Sequence, residues 1–240
     1  MSDKILFIFE GEKKEKSITD NLTKFFVNEN TVVTCAYCTT IYKMYNEISA
    51  DEDLDTFGLL KEIEINKETL KNFKRSDFSQ IYMFFDYDGH ATNASDEKLN
   101  RLLTFFNEET EKGKLYLSYP MVEALKHIEN FDTFKDLKVN CKIGDYKKIV
   151  NKSCINDLID FNLYNLDIWK SLIGIHLKKM NYIVNNVFEL PNTIFQQSII
   201  FNKQLEKYKN IDQTIAVLSA FPVFLVDYYG SKEIKKRINE

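Results

Sequence analysis

The sequence predicts an α/β protein with a mostly parallel sheet flanked by helices, followed by a mainly helical carboxy-terminal region. Short continuous apolar runs, each bounded by glycine or charge, alternate with segments of helical periodicity over the first half of the 240 residues. Such strand-like runs nearly vanish after about residue 131, where helical patterns dominate. With 44% hydrophobic and 14% aromatic residues, the chain has the composition of a globular protein rather than a disordered one.

The first forty residues predict a strand, a helix and a second strand. Residues 4–9 (KILFIF) form an uninterrupted apolar run, as in a strand buried on both faces of a parallel sheet. Gly11 allows a tight turn, and residues 12–26 carry apolar side chains at helical spacing. Residues 31–37 are rich in β-branched side chains, so the segment as a whole predicts a βαβ unit.

The middle of the chain predicts two further strands, each followed by a helix. Residues 80–85 (QIYMFF) are strand-like, and Ser95 is a suitable N-cap for a helix over residues 96–109. A strand is predicted at residues 114–118. Pro120 would then occupy the first position of a helix over residues 121–128.

The remaining residues predict a second region, which gives an organisation of residues 1–130 and 131–240. One strand is possible at residues 137–143. The predicted helices cover residues 155–161, 166–187, 193–207 and 211–226, with a final charged helix at the carboxyl end.

The charge balance restricts how the chain can bind a polyanion. There are 32 basic and 36 acidic residues, which gives a net charge of −4 and excludes a cationic surface over the whole protein. Only Arg75, Arg101 and Arg237 are arginines, so bidentate guanidinium contacts cannot be the main means of binding phosphate. A polyanion must therefore bind to a local basic patch or through metal ions.

Targeting signals and membrane spans are not predicted. The apolar run at residues 4–9 is followed by charge rather than a cleavage site, and the longest apolar run, residues 215–226, is far shorter than the roughly 20 residues of a transmembrane helix. The cysteines suggest neither a disulfide framework nor a complete zinc site, so a cytoplasmic location is expected; they are Cys35, Cys38, Cys141 and Cys154.

Acidic residues follow three of the predicted parallel strands. Glu10 follows the first, Asp86 and Asp88 follow the third, and Glu123 comes shortly after the fourth. Ligands of open α/β sheets bind at these carboxyl ends. Residues i and i+2 of an extended strand point to the same side about 6.6 Å apart, so Asp86 and Asp88 can face one cation. Oxygen ligands without His or Cys favour Mg²⁺ or Mn²⁺, which activate water for phosphodiester hydrolysis.

These residues also carry a family resemblance. The strings FIFEGEKKE (residues 7–15), FFDYDGH (84–90) and SYPMVEAL (118–125) resemble the TOPRIM domain, and most closely the RloB-like proteins and OLD-family nucleases associated with phage defence. The resemblance covers roughly residues 4–128 and implies a Rossmann-like fold. It implies metal ligation by Glu10, Asp86 and Asp88, with Glu123 and either Glu15 or Glu12 helping to hold a second metal. Because 240 residues are too few to include also the cleavage domain of topoisomerases or the polymerase apparatus of primases, the resemblance implies a nuclease or a degenerate relative.

Several basic residues are candidates for contact with nucleic acid. Those beside the predicted metal site, together with lysines of the segment 145–152, are placed where phosphate contact is plausible, although solvated faces and an exposed loop histidine are alternative interpretations. The candidates are Lys13, Lys14, His90, Lys147 and Lys148. By contrast, His127 and His176 lie in apolar patterns and are predicted to be packing residues.

The predicted function is metal-dependent hydrolysis of phosphodiester bonds in DNA or RNA, with Mg²⁺ or Mn²⁺ as cofactor and anti-phage defence as the context that the resemblance implies. One alternative is an effector or sensor subunit with an inactive or gated site that needs a partner protein, such as an ATPase of a defence system. A phosphatase of the DxD type is a third interpretation. It is disfavoured because that class places the motif after its amino-terminal strand, whereas Asp86 and Asp88 follow the third strand here.

Overall fold

The computed structural model describes residues 4–11, 13–27, 31–36, 40–50, 55–87, 89 and 94–239, with only the backbone described for residues 43 and 47–50. The chain divides into two compact units. Unit 1 comprises Met1–Phe85 and Asn93–Tyr116, and unit 2 comprises Asp86–Thr92 and Leu117–Glu240.

A five-stranded sheet contains the strands of the first half of the chain, in the order β2-β1-β3-β5-β4. Its central strand pairs β1·β2 and β1·β3 are parallel, whereas the short β4 pairs antiparallel with β5. The prediction of a mostly parallel sheet flanked by helices is confirmed, and the arrangement is compatible with a Rossmann-like fold. The strands are β1 (Lys4–Phe9), β2 (Val32–Ala36), β3 (Phe78–Asp86), β4 (Asn107–Glu108) and β5 (Gly113–Ser118).

Aromatic side chains fill the space around the central strands. Phe9 of β1 lies opposite Phe84 of β3 in the parallel register. The ring of Phe84 lies 5.3 Å from that of Phe7 and stacks on Tyr116 of β5 at 5.7 Å. These side chains are buried, so β1 and β3 have core on both faces, and their polar neighbours in sequence occur where the strands end.

Unit 1 contains helices with clear local signals. Ser95 caps one of them as predicted, because its Oγ accepts a hydrogen bond from the Lys98 N–H at 3.4 Å. This helix ends at Phe105 rather than residue 109 because the following residues pair with β5. The helices are α1 (Lys14–Leu22), α2 (Ile41–Ala50), α3 (Thr56–Glu62), α4 (Lys67–Leu70) and α5 (Asp96–Phe105).

The outer edge of β2 is partly completed by a buried asparagine. The Asn66 side chain accepts from the Ala36 N–H at 3.0 Å and donates to the Ala36 carbonyl at 2.7 Å. It also donates to the carbonyl of Leu60. A side-chain amide therefore replaces a strand neighbour at this position, which keeps buried backbone groups hydrogen-bonded.

Unit 2 is mainly helical and contains a small antiparallel pair of strands. The long helix predicted at residues 166–187 is confirmed, with Asn165 as its N-cap. The elements are β6 (Lys138–Asn140), α6 (Tyr146–Ser153), α7 (Leu166–Asn185), α8 (Gln197–Gln204), a π-helical turn (Leu205–Lys209), α9 (Asn210–Asp212), β7 (Thr214–Ala216), α10 (Ala220–Tyr229) and α11 (Ser231–Asn239).

The prediction of one helix over residues 211–226 is wrong. Strand β7 precedes α10 in this segment and pairs with β6 on one side. On the other side, the Gln204 carboxamide accepts from the Ala216 N–H at 2.9 Å and donates to the Ala216 carbonyl at 2.8 Å. These long-range partners satisfy the backbone in an extended form, so the apolar run does not continue as a helix.

The helix predicted over residues 121–128 is also wrong. Only Val122–Leu125 form a helical turn, of the 3₁₀ type, and Met121 before it is extended. The carbonyl of Leu125 accepts a hydrogen bond from His176 Nε2 at 3.3 Å, while Nδ1 of the same ring accepts from the Ser219 N–H at 3.2 Å. This bridge from α7 takes a carbonyl that a longer helix would have used internally.

Within the described residues, no helix combines the length and the apolar character that a bilayer span requires.

The His176 bridge predicts a pH dependence of stability. Burial lowers the pKa of His176 to about 3, whereas the pKa in the unfolded chain is about 6.5. Because the unfolded state binds the extra proton, the free energy of unfolding should fall by about 1.4 kcal/mol per pH unit as the pH drops below 6.5. His176→Gln should be less stable at pH 7.5 and should show a shallower slope between pH 6.5 and 5, measured by urea unfolding. An unchanged slope in the variant would contradict this assignment.

Candidate functional site

An acidic pair lies at the end of β1 in unit 1. Glu10 follows β1, and its N–H donates to the carbonyl of Phe84 at 3.2 Å. The side chain of Glu15, in the first turn of α1, is buried and folds back toward the turn after Glu10. A Cβ atom added to Gly11 would lie 3.3 Å from Glu15 Oε2, so a larger residue there would press on the carboxylate. We call Glu10 and Glu15 the unit 1 acid pair.

Asp86 is the last residue of β3 and is only 9% exposed. The next residue, Tyr87, donates its N–H to the carbonyl of Ser118 at 3.0 Å, which ties the end of β3 to the end of β5. Asp88 and His90 lie outside the described residues, as does Glu12. Their predicted roles stay predictions.

Steric crowding explains why the last position of the Asp86-x-Asp88-Gly89 motif is a glycine. A Cβ atom at Gly89 would lie 2.5 Å from the carbonyl oxygen of Cys141 and 2.7 Å from Cε1 of Tyr87. The backbone of Gly89 therefore approaches Cys141 too closely for a side chain at this position. Gly89 thus lies against Cys141, and both residues belong to unit 2.

Glu123 is the second acid of unit 2. It lies in the 3₁₀ turn after β5, is 1% exposed, and this turn packs against α6. The first residue of α6, Tyr146, has a pKa well above its usual value, because of burial first and then the negative charges of Glu123 and Asp86. Both carboxylates therefore act on the same buried hydroxyl, and we call Asp86 and Glu123 the unit 2 acid pair.

A histidine holds the Tyr146 hydroxyl. The Tyr146 oxygen lies 2.8 Å from His127 Nδ1, and His127 Nε2 lies 3.6 Å from Oε1 of Glu129. Burial lowers the pKa of His127, although Glu129 opposes this shift. A protonated phenol beside a neutral imidazole donates to Nδ1, so the Glu129–His127–Tyr146 chain fixes the direction of the hydroxyl. His127 and His176 are buried and hydrogen-bonded, as predicted.

The candidate lysines are on the surfaces of the two units. Lys13 is exposed just before α1. On α6, Tyr146 and Val150 face inward, while Lys147 and Lys148 are exposed. Lys148 forms an ion pair with Asp145 at 2.9 Å, whereas no ion pair of Lys147 occurs within the described residues. The helix itself was not predicted, although Tyr146 and Val150 at spacing i, i+4 are a signal for its inward face.

The described residues contain no group of three His, Cys, Asp or Glu side chains that would hold a metal ion, and Asp88 is not among them. Of the candidate carboxylates that are described, Glu10 and Glu15 belong to unit 1, and Asp86 and Glu123 belong to unit 2. Their oxygen-only donor set fits Mg²⁺ or Mn²⁺ rather than zinc. Cys35, Cys141 and Cys154 are buried free thiols, and Cys38 lies outside the described residues.

The hydroxyl of Tyr146 should contribute to the stability of the fold and should determine the hydrogen bonding of the His127 ring. Tyr146→Phe leaves His127 Nδ1 without its donor, so the free energy of unfolding should fall by about 1–3 kcal/mol in urea unfolding. Tyr164→Phe is a matched control, because the Tyr164 hydroxyl is also buried and donates to the Leu158 carbonyl at 2.8 Å. The imidazole ¹⁵N resonances of His127 should move in Tyr146→Phe only. A His127 spectrum that is unchanged in Tyr146→Phe would refute the contact.

Comparisons of the chain with protein-family models, with curated protein sequences and with solved structures gave no match. The TOPRIM resemblance therefore stays a prediction that depends on the motif residues. What can be said of function comes from the chemistry of the two acid pairs.

Proposed function

We propose that this protein is a metal-dependent nuclease that hydrolyses phosphodiester bonds of DNA or RNA. The observation that supports the proposal is the unit 2 acid pair: Asp86 at the end of β3 and Glu123 after β5 are both buried, and the negative charge of each adds to the raised pKa of Tyr146. The order of the motifs along the chain and the parallel pairing of β1 with β3 add support.

Burial of two carboxylates near each other has an electrostatic cost. Each loses hydration, and the like charges repel, so such pairs are typical of sites that bind a cation or shift a proton. A divalent ion offsets both charges at once. The proposal assigns this role to Asp86 and Glu123, which are both buried.

The proposed role of each residue follows from the chemistry of its side chain. Asp86 and Glu123, with Asp88, would hold one cation, and Glu10 and Glu15 are the candidates for another. A bound divalent ion lowers the pKa of water and offsets charge at the phosphate and the leaving oxygen. Tyr146 donates its hydroxyl proton to His127 and packs at the start of α6, and it is a positioning residue in this proposal.

Lysines explain how an acidic protein would hold a polyanion. Lys147 is exposed one residue after Tyr146, at the start of α6. An ammonium group there would contact a phosphate of the backbone without reading sequence. Lys13, Lys14 and Lys148 are further candidates for such contacts, as is His90.

The acids of the DxD motif should be essential for cleavage. The purified chain should cut plasmid, single-stranded DNA or tRNA in Mg²⁺ or Mn²⁺ and not in EDTA. The pair Asp86→Asn and Asp88→Asn should lower the rate at least about a hundredfold, because a ligand set is removed. Asp157→Asn, which changes an exposed acid of unit 2, should leave the rate within about twofold.

Three results of this assay would count against the proposal. Cleavage that survives the double substitution refutes the ligand assignment. Equal loss in Asp157→Asn would show a general effect of charge. Turnover of a small phosphate ester, with no cleavage of any nucleic acid, would favour the phosphatase interpretation instead.

Nucleic-acid affinity should depend on divalent ions. Because the net charge is −4, the chain cannot gain tight binding from its overall field. Fluorescence anisotropy with a labelled oligonucleotide should show weak binding in EDTA and at least about tenfold tighter binding in Ca²⁺, used as a divalent ion that does not support cleavage. Tight, salt-resistant binding in EDTA is the result that this account does not allow.

A second candidate is a partner-dependent effector subunit. It is favoured by three exposed apolar residues close together in sequence, Ile159, Leu163 and Leu166, of which Leu163 is 73% exposed. Clustered apolar exposure is typical of protein interfaces. Size-exclusion chromatography with light scattering separates the two candidates, since a strict monomer that cleaves nucleic acid has no need of a partner. A defence-system ATPase is the partner that the family resemblance implies.

A further inference from the structure

The outer edge of β2 carries backbone groups that no neighbouring strand uses. β2 is the last strand on its side of the sheet. The carbonyl of Thr31 accepts from β1, whereas the N–H and the carbonyl of Ala36 bind the Asn66 side chain. Because successive residues of a strand direct their backbone groups to alternate sides, Val32 and Thr34 face outward with Ala36. No hydrogen bond of Val32 or Thr34 on this outer side occurs among the described residues.

The Asn66 side chain shows what kind of group this edge binds. Its carboxamide donates to one backbone carbonyl and accepts from one N–H, as the backbone of a neighbouring strand would. It occupies the edge at Ala36 alone. Val32 and Thr34, about 6.6 Å apart along the strand, present the same pair of groups to an incoming chain. An extended polypeptide is the ligand that supplies donors and acceptors at this spacing.

A groove lies beside this edge in unit 1. We call it the β2 groove; its volume is about 530 Å³, within the range of ligand pockets. It is lined by β2 from Val32 to Ala36 and, from the segment after α3, by Ile65, Thr69 and Phe73. Ile65 is 37% exposed and Phe73 is half-buried. Both therefore offer apolar surface to the side chains of an added strand.

β2 lacks the features that usually protect an exposed edge. Proteins commonly place charged residues or proline in edge strands, because these prevent pairing with another chain. The strand reads Val-Val-Thr-Cys-Ala and contains neither, and its first three residues are partly exposed. An uncharged edge of this kind is suited to the addition of a strand.

The charges around the groove favour an acidic occupant. Lys16 is the one charged residue among the described residues that line it, and it forms an exposed ion pair with Asp20 at 2.7 Å. Two more lysines lie beside Phe73: Nζ of Lys4 is 5.5 Å from its ring centre, and Lys61 donates to its carbonyl at 3.0 Å. A second copy of the chain would bring the same lysines to a paired edge, whereas an acidic segment has the complementary sign.

We propose that the outer edge of β2 binds an extended, acidic segment of a partner protein as an additional strand. The backbone groups of Val32 and Thr34 supply the hydrogen bonds, and apolar residues of the segment 65–73 contact alternate side chains of the partner. Asn66 ends the pairing, because its amide already occupies Ala36. The site does not rest on the nuclease proposal, since none of these residues belongs to either acid pair.

The experiment titrates the full chain into labelled synthetic peptides and follows fluorescence anisotropy. The probe is an amidated, fluorescein-labelled peptide with the sequence Glu-Val-Thr-Val-Thr-Glu. Two modified forms, one N-methylated at both valines and one at both threonines, lack alternate N–H groups. The unmodified peptide should bind saturably. Only one of the two N-methylated peptides should lose affinity, by at least about tenfold, because an added strand directs only every second N–H to its neighbour.

Two variants at one position of β2 form a matched pair. Thr34→Pro removes the outward N–H, and proline is tolerated on the open side of an edge strand, so binding should weaken at least about tenfold. Thr34→Val keeps the backbone donor and should change the affinity less than about twofold. In the wild-type chain, amide exchange of Val32 and Thr34 should slow when the peptide binds, whereas that of Val33, which faces β1, should change little. This measurement decides the matter if Thr34→Pro does not fold.

Equal affinity of the two N-methylated peptides would refute strand addition, because attraction between charges alone would then explain the binding. Unchanged amide exchange at Val32 and Thr34 with saturating peptide would refute the site. Light scattering that shows a dimer, dissociated by Thr34→Pro, would overturn the proposal in favour of a second copy of the chain. Cleavage assays of the acid-pair variants have no bearing on these measurements, so the two proposals can fail separately.

Discussion

The burial of the central strands on both faces constrains where polar chemistry can occur in this protein. β1 and β3 pair in parallel and carry almost only apolar and aromatic side chains, from Ile5 to Phe9 and from Ile81 to Phe85. A charged residue inside either strand would be surrounded by core. The acids Glu10 and Asp86 therefore stand where the strands end, which is where open α/β sheets have room for ligands.

Long-range polar side chains complete the parts of the fold that lack a regular partner. Asn66 satisfies Ala36 on the edge of β2, and Gln204 does the same for Ala216 on β7. His176 joins α7 to Leu125 and Ser219 in unit 2. In each case a buried side chain replaces a backbone neighbour, so removal of the side chain leaves two backbone groups unsatisfied.

The proposed function is compatible with the net negative charge of the chain if the buried acids hold cations. A chain with 36 acids and 32 bases has little general attraction for nucleic acid. If the buried acids hold cations, they would attract phosphate rather than repel it. A local basic feature, Lys147 beside Tyr146, would then contact the substrate without a cationic surface over the whole molecule.

Much of the fold was predictable from the sequence alone. Local sequence signals predicted several elements: the strands at the start of the chain, β3, β5, the N-cap Ser95 and the long helix α7. A buried segment has apolar residues spaced according to its secondary structure, so the sequence shows this spacing. The positions of Glu10 and Asp86 at strand ends follow from the same pattern. The prediction of oxygen donors for a hard cation came from residue identity and stays a prediction.

Only the tertiary structure decided where long-range hydrogen bonds replace the helical conformation that the local sequence pattern predicts. Residues 121–128 and 211–226 are helical by periodicity, yet hydrogen bonds from His176 and Gln204 hold parts of them in other forms. Likewise, the charges of Asp86 and Glu123 reach Tyr146 because α6 packs against the turn after β5. A periodic pattern reports which face of a segment is buried. It does not report which distant group will satisfy its backbone or share its charge.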